Sequence, residues 1–184
     1  MGKITAQITD AHKQFIASQK LFFVGTAAAK GTVNVSPKGM DSLRVLSPNR
    51  VIWLNVTGSG NETAAHLLEN DRMTLMFCAF EGKPLILRLY GTAKAYHPRD
   101  AQWEEFIHLF PALPGSRQLF DLEIDTVQSS CGMAVPLMDY QGDRHELNEW
   151  ATKQGEEGIA EYWSRKNRKS IDGFETSIFD TKLT

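Results

Sequence analysis

Short stretches rich in β-branched and other apolar residues recur along the chain, and several of them alternate with polar residues as half-buried β-strands do. The predicted strands cover residues 21–27, 32–36, 43–46, 51–56, 72–80, 85–96 and 119–125. Turns rich in Gly, Pro and Asn separate most of them, without the strand–helix alternation of a parallel sheet. The pattern therefore predicts an antiparallel meander, and five or six strands of this kind usually close into a barrel.

Helical patterns flank the strands and follow them. Ser59 and Glu62 have the spacing of a capping box, which predicts that a short helix begins there, between two strands. After the last strand the chain is rich in Glu, Lys and Trp, and it predicts two helices broken at Gly155 and Gly158. The fold class is therefore mainly β with flanking helices.

Composition and charge narrow the class of protein. The chain has 184 residues, a formal net charge of -2 and 42% hydrophobic residues, which fits a single domain over residues 1–184 with a helical C-terminal extension at about 143–184. No strong charge recruits nucleic acid or a membrane surface, and no apolar run approaches the roughly 20 residues of a membrane span. Residues 1–19 show no secretory signal, so we expect a cytoplasmic protein with reduced cysteines. Cys78 and Cys131 do not have the spacing of a zinc site, so we expect no metal site.

Two polar segments at strand ends are candidate anion sites. In the segment 36–39, Ser-Pro-Lys-Gly, a hydroxyl, a cation and a flexible backbone suit a phosphate or a polarised carbonyl. At the helix start after the turn 57–60, Asn61 and Thr63 offer hydrogen bonds, and free N–H groups favour an anion. The alternatives are a strand-end bulge with a surface lysine, and a helix that is merely capped.

Arg88 and the C-terminal tail are two further candidates. Period two places Arg88 with Ile86 and Tyr90 on one strand face, opposite a leucine face that would fill the core. Arg88 would then point to solvent, to an interface or to an anion. Trp163 and the basic residues after it would cover a ring-shaped ligand or meet a second subunit, unless they form only a terminal helix with a charged face.

No catalytic residue is identified from the sequence. It shows neither the Ser-His-Asp or Cys-His arrangement of nucleophilic catalysis nor the Gly-rich motifs of Rossmann and P-loop sites. An enzyme of this kind would take its reactivity from a cofactor.

The order of these motifs resembles that of the pyridoxamine 5′-phosphate oxidase-like FMN-binding proteins over roughly residues 20–174. The shared motifs are Ser-Pro-Lys-Gly at 36–39, Trp-Leu-Asn at 53–55, Gly-Asn at 60–61, Asn-Asp at 70–71, Leu-Arg-Leu-Tyr-Gly at 87–91, Ser-Cys-Gly at 130–132 with Val-Pro at 135–136, and Lys-Asn at 166–167 with Ser-Ile-Asp-Gly at 170–173. The resemblance implies a six-stranded antiparallel split β-barrel of the FMN-binding type. It also implies a homodimer with two FMN sites at the subunit interface.

The resemblance also implies which residues bind the cofactor. The flavin phosphate would lie near the start of the helix that follows Asn55, and residues 36–40 would lie along the edge of the isoalloxazine ring. The implied and candidate cofactor-binding residues are Ser36, Pro37, Lys38, Gly39, Met40, Asn55, Asn61, Thr63 and Arg88.

The chain departs from the true oxidases of vitamin B6 metabolism at two places. Those enzymes carry an Arg-Lys pair where this chain has Glu62 and Thr63, and an Arg…Lys pattern where it has Ser36 and Asp41. Charge-assisted hydrogen bonds contribute about 1.5–3 kcal/mol each, so a phosphate would bind weakly unless other cations substitute. Lys38 and Arg88 are the predicted substitutes, and oxidation of pyridoxamine phosphate itself is not expected.

Three functions remain open at this point. The first is an FMN-dependent oxidoreductase, related to pyridoxamine 5′-phosphate oxidase, with an unassigned small-molecule substrate. The second is a non-catalytic module of the same fold that carries flavin, the deazaflavin F420 or haem. The third is a dimeric interaction scaffold that has lost the site.

Overall fold

The computed structural model describes residues 2–179. Its strands are β1 (Lys3–Thr5), β2 (Phe22–Ala27), β3 (Val33–Lys38), β4 (Leu43–Ser47), β5 (Arg50–Val56), β6 (Arg72–Cys78), β7 (Ile86–Tyr96) and β8 (Ser116–Ser130). Its helices are α1 (Asp10–Ser18), α2 (Glu62–Glu69), α3 (Ala101–Phe106), which continues as a 3₁₀ turn (Ile107–Leu109), and α4 (Glu146–Lys166). The prediction of a mainly β protein with flanking helices is confirmed. None of the helices within 2–179 has both the length and the apolar composition that crossing a bilayer requires.

The strands form one antiparallel sheet in the order β3-β2-β6-β7-β8-β5-β4. The long strand β8 pairs with β5 through its first half and with β1 through its second half, while β7 runs along its other side. The expectation of six strands is wrong, because there are eight, and across residues 2–179 no ladder joins β3 to β4 to close a barrel. The strand β1 spans three residues, too few for a periodic pattern to reveal it.

Aromatic side chains and leucines fill the core between the strands. Trp53 is fully buried, stacks on Phe120 with ring centroids 4.6 Å apart and meets the edge of Phe22 at 6.0 Å. On β7 the predicted two faces are present, because Leu87 and Leu89 are fully buried whereas Ile86, Arg88 and Tyr90 are half-buried on the opposite face. The alternation of this strand thus orients Arg88 away from the core.

The edge strand β3 extends to Lys38, two residues beyond the predicted end of this strand at Ser36. Pro37 pairs with Phe23, and Lys38 pairs with Phe22. An edge strand has a ladder on one side only, so a residue without an N–H group is tolerated when that position faces outward. The strand then turns through Met40 and Asp41, both with positive φ (64° and 53°), into β4. Because β3 stays extended to its end, Lys38 projects from a fixed backbone.

The start of α2 is held by the C-terminal segment and not by a capping box. Asn61 is the N-cap and makes no side-chain cap bond, so the prediction that Ser59 caps the helix is wrong. The Glu62 carboxylate accepts instead from the backbone N–H of Ile171, at 3.1 and 3.2 Å. Nearby, Asp172 accepts from the N–H and the hydroxyl of Thr32, both at 2.8 Å, and these bonds hold the pKa of Asp172 below its ordinary value.

The helix α4 is interrupted at one of the two predicted glycines. Gly155 has φ 65° and ψ 179°, a conformation that glycine adopts without strain, and the chain resumes a helical path after it. Gly158 lies within the second helical part. The second part ends at Lys166, next to the loop between β5 and α2, and so brings the residues after it to that loop.

Candidate functional site

A cavity of about 740 Å³ lies between β3 and the loop that joins β5 to α2. This volume is in the range of small-molecule sites, roughly 300–1,000 Å³. Eight of the predicted site residues line it: Ser36, Pro37, Lys38, Gly39, Met40, Asn55, Asn61 and Thr63. Two segments that lie 15 or more residues apart in sequence, 36–40 and 55–63, therefore form walls of one cavity.

Arg88 is the predicted site residue that the structure does not bring to this cavity. Its guanidinium donates to the Ser130 hydroxyl at 3.2 Å, on the half-buried outer face of β7. Within one chain it therefore does not reach this cavity, and its role as a substitute for the cations missing from the turn stays a prediction.

Lys38 is held inside the cavity by neutral groups. Its ammonium donates to the Asn55 side-chain oxygen at 3.2 Å and lies 5.3 Å from the centre of the Trp53 ring. The Asn55 amide in turn donates to the Gln118 oxygen at 3.1 Å. Burial, and secondarily the positive charge of Arg117, lower the pKa of Lys38 to about 8. The ammonium is thus a fixed cation without a paired carboxylate among residues 2–179.

Arg117, on β8, is a second cation at this cavity that sequence reasoning missed. Its side chain is buried, with 3% of the residue exposed. One guanidinium nitrogen donates to the Asn167 side-chain oxygen at 2.7 Å and to the Gly60 carbonyl at 3.1 Å, while its Nε has no hydrogen-bond partner among residues 2–179. Burial lowers the pKa of Arg117 to about 10, which leaves it charged at neutral pH. The one available signal was an arginine at the start of an otherwise buried strand.

The cavity carries more positive than negative charge, because two cations, Lys38 and Arg117, share its lining with a single carboxylate. The acidic residue among its described lining residues is Glu62, whose carboxylate already accepts from Ile171. Lys38 and Arg117 are held by oxygens of amides and of the backbone. A buried charge is costly unless it is paired, and the N-terminus of α2 adds partial positive charge at the same end. The arrangement therefore fits an anionic ligand, such as a phosphate group.

A larger cavity, of about 930 Å³, shows the opposite balance of charge. Its Arg50 makes a 2.7 Å ion pair with Asp121, and the Tyr96 hydroxyl also donates to Asp121 at 3.4 Å. The Arg50 charge is therefore already neutralised. Within residues 2–179 there is also no cluster of three or more His, Cys, Asp and Glu side chains placed to hold a metal ion.

The lowered pKa of Lys38 predicts a dependence of stability on pH. Unfolding returns this ammonium to water, where its ordinary pKa is 10.5, so above about pH 8 the unfolded chain binds a proton that the folded chain has lost. The contribution of Lys38 to the free energy of unfolding should therefore rise between about pH 8 and about pH 10, by on the order of 1–3 kcal/mol.

Urea unfolding of the ligand-free protein and of Lys38→Met, at about pH 7.5 and about pH 9.5, measures this contribution. The wild type should gain stability relative to Lys38→Met as the pH rises, and the comparison removes the contributions of other titrating groups. An equal response of the two proteins to pH would contradict the assigned pKa shift.

Comparison with known proteins places this chain in a family. The model of the family described as pyridoxamine 5′-phosphate oxidase matches residues 8–131. The pyridoxamine 5′-phosphate oxidase family protein ustO of Aspergillus flavus is 36% identical over 186 residues, which cover 90% of this chain and 74% of that protein.

Solved structures share the fold at lower sequence identity. A HupZ variant from Group A Streptococcus has a TM-score of 0.54 and 21% identity, covering 67% of this chain and 99% of that chain. A pyridoxamine 5′-phosphate oxidase-like protein from Lactobacillus delbrueckii has a TM-score of 0.53 and 22% identity, covering 67% and 94%. Together with the family model and the relative from Aspergillus, they confirm the resemblance that the motifs indicated. The chain belongs to the pyridoxamine 5′-phosphate oxidase family.

Proposed function

We propose that the protein is an FMN-binding flavoprotein that works as an oxidoreductase on a small molecule. The observation that carries the proposal is the pair of buried cations, Lys38 and Arg117, that face one cavity and have no carboxylate partner in the described part of the chain. A family of this kind and a cavity of about 740 Å³ both suit a flavin mononucleotide.

The donors at the two ends of the cavity fit the two ends of FMN. Arg117, the Gly60–Asn61 turn and the first turn of α2 would hold the phosphate, because cations and free N–H groups meet there. Arg117, on a strand, would thereby supply a positive charge in place of the Arg-Lys pair, since this chain has Glu62 and Thr63 at those positions. At the other end Lys38 and the backbone of residues 36–40 would lie along the ring.

The chain would support redox chemistry mainly through fixed electrostatics. Bound FMN supplies a ring that accepts a hydride. Lys38 would favour the negative charge that grows on the ring upon reduction, because Asn55 and Trp53 hold its ammonium in place before the ligand binds. The 3.1 Å hydrogen bond from Asn55 to Gln118 fixes the orientation of the Asn55 side chain, whose oxygen accepts from Lys38.

We further propose a homodimer that uses the outer face of the sheet. Val33 and Val35 on β3 are 73% and 64% exposed, and Arg88 lies on the same side of the sheet. A second copy would cover these apolar side chains and would give Arg88 a place at an interfacial site. Sedimentation velocity at micromolar concentration tests this proposal, and a strictly monomeric species would overturn it.

The visible absorption spectrum of the purified protein tests the proposed cofactor. We expect flavin bands, either as purified or after addition of FMN and removal of the excess by gel filtration. A Soret band after addition of haem, without flavin binding, would indicate a haem module instead. Protein that stays colourless with FMN would overturn the proposal.

Activity is tested separately from binding. The FMN-loaded protein should be bleached under anaerobic conditions by a reduced pyridine nucleotide or by an oxidisable amine, and it should regain its colour in air. A flavin that no reductant of these classes bleaches would favour the non-catalytic module.

A further inference from the structure

Asn167 contacts three parts of the cavity wall: Arg117, the turn at Gly58 and the N-cap residue of α2. Asn167 is fully buried immediately after α4. Its side-chain oxygen accepts from Arg117 at 2.7 Å, and its side-chain nitrogen donates to the Gly58 carbonyl at 3.0 Å. Its backbone carbonyl accepts from the Asn61 amide at 3.4 Å. One residue thus fixes the guanidinium, the turn and the N-cap of α2 together.

The chemical nature of this residue matters as much as its position. A carboxylate at the same place would also hold the Arg117 guanidinium, but it would cancel its charge. An amide oxygen orients the guanidinium and leaves the full positive charge for a ligand. The Gly60 carbonyl, the second partner of Arg117, is neutral as well.

The segment that follows Asn167 keeps it in place. The Thr176 hydroxyl donates to the Asn167 carbonyl, and Trp163, one turn earlier on α4, donates to the Thr57 hydroxyl at 2.8 Å. Ile171 and Asp172 bind the start of α2 and the β2–β3 turn, as described above. Asn167 is therefore held from several elements and has little freedom to turn away from Arg117.

We propose that Asn167 sets the charge of the ligand that the cavity accepts: by orienting Arg117 with a neutral oxygen, it makes the cavity select a phosphorylated flavin over unphosphorylated riboflavin. The flavin part of this inference rests on the proposed function, whereas the selection of a phosphate group does not. Asn167 is a positioning residue, since it acts on the ligand through Arg117.

The test compares FMN with riboflavin in Asn167→Asp, using flavin fluorescence quenching to measure both dissociation constants. Because the new carboxylate neutralises Arg117, the preference for FMN over riboflavin should fall by about 10- to 100-fold, while riboflavin binding stays within about threefold of the wild type. In Asn167→Ala the charge of Arg117 remains, so the preference of this variant for FMN over riboflavin should fall less than that of Asn167→Asp. A residue with only a structural role would give the opposite order, because alanine removes more contacts.

The matched control is Asn70→Asp. Asn70 also accepts from an arginine, Arg72 at 3.1 Å, and donates to a backbone carbonyl, Ala27 at 3.0 Å, outside this cavity. The substitution Asn70→Asp introduces a carboxylate next to an arginine, as Asn167→Asp does. Its preference for FMN over riboflavin should stay at the wild-type value. An unchanged preference in Asn167→Asp, or an equal loss in Asn70→Asp, would overturn the inference while leaving the proposed function standing.

Inorganic phosphate separates this inference from the proposed function. Phosphate should raise the thermal midpoint of the wild type and of Asn70→Asp, and it should raise that of Asn167→Asp less. This pattern in a protein that binds no flavin would support the phosphate selection and overturn the flavin function. A wild type that responds neither to phosphate nor to FMN would overturn both. If Asn167→Asp does not fold, Asn167→Ala decides, since an unchanged preference for FMN in that variant would overturn the inference.

Discussion

Replacing Arg117 with methionine is expected to weaken FMN binding by about 100-fold, because the phosphate loses its buried guanidinium partner. Methionine approximates the length of the arginine side chain without its charge, so the cavity keeps much of its shape. Riboflavin has no phosphate and should bind almost as well to the variant as to the wild type. Dissociation constants from fluorescence quenching, measured for both flavins, check this expectation.

The control for this substitution is Arg72→Met. Arg72 is exposed on β6 and its guanidinium contacts the Asn70 oxygen, at a place that does not line the cavity. The same loss of charge there should leave FMN affinity within about twofold, since an exposed charge at a distance is largely screened by salt. If Arg117→Met bound FMN as tightly as the wild type does, Arg117 would not contact the phosphate.

Replacing Gly91 with alanine should prevent the sheet from forming. Gly91 lies in the middle of β7, at the irregularity where the register with β8 shifts, and a Cβ atom at this position would overlap the backbone carbonyl of Glu123. Both strands are central, so neither backbone can move away without breaking several hydrogen bonds. We expect a loss of more than about 4 kcal/mol in the free energy of unfolding, measured by urea denaturation, or no soluble folded protein.

A second glycine of the sheet, Gly25, provides the comparison for Gly91→Ala. Gly25 lies on β2, also within the sheet, but a Cβ atom there would meet Thr74 atoms at 3.8 Å, which is an ordinary contact. Gly25→Ala should therefore fold with a stability within about 1 kcal/mol of the wild type. A folded Gly91→Ala protein of similar stability would show that β7 and β8 approach less closely at this point.

Local patterns of the sequence were sufficient to predict most of the sheet. The alternation on β7 assigns Leu87 and Leu89 to the core and Arg88 to the opposite face, because side chains of a strand project to alternate sides. The Ser-Pro-Lys-Gly segment and Asn61 were recognised as candidate ligand groups because they combine donors with a flexible backbone. Their meeting in one cavity depends on the turn at Met40 and Asp41, which leads from β3 into β4, the strand that pairs with β5.

The parts that were missed depend on contacts between residues far apart in sequence. Arg117 and Asn167 are separated by 50 positions, and although Asn167 belongs to one of the shared motifs, no local pattern pairs it with Arg117. The Ser59 capping box failed because Glu62 finds a partner in Ile171, 109 residues later. Tertiary contacts decide which strand residues reach the cavity, so the sequence alone did not point to Arg117 as a second cation.

The contact between Asn167 and Arg117 has a consequence for how the protein is made. All eight described strands precede residue 131, so the nascent chain can pair them before α4 and Asn167 leave the ribosome. At that stage Asn167 is not yet available to orient the guanidinium of Arg117. Competence to hold a phosphate should therefore arise late, as a final docking event, after the strands have already assembled.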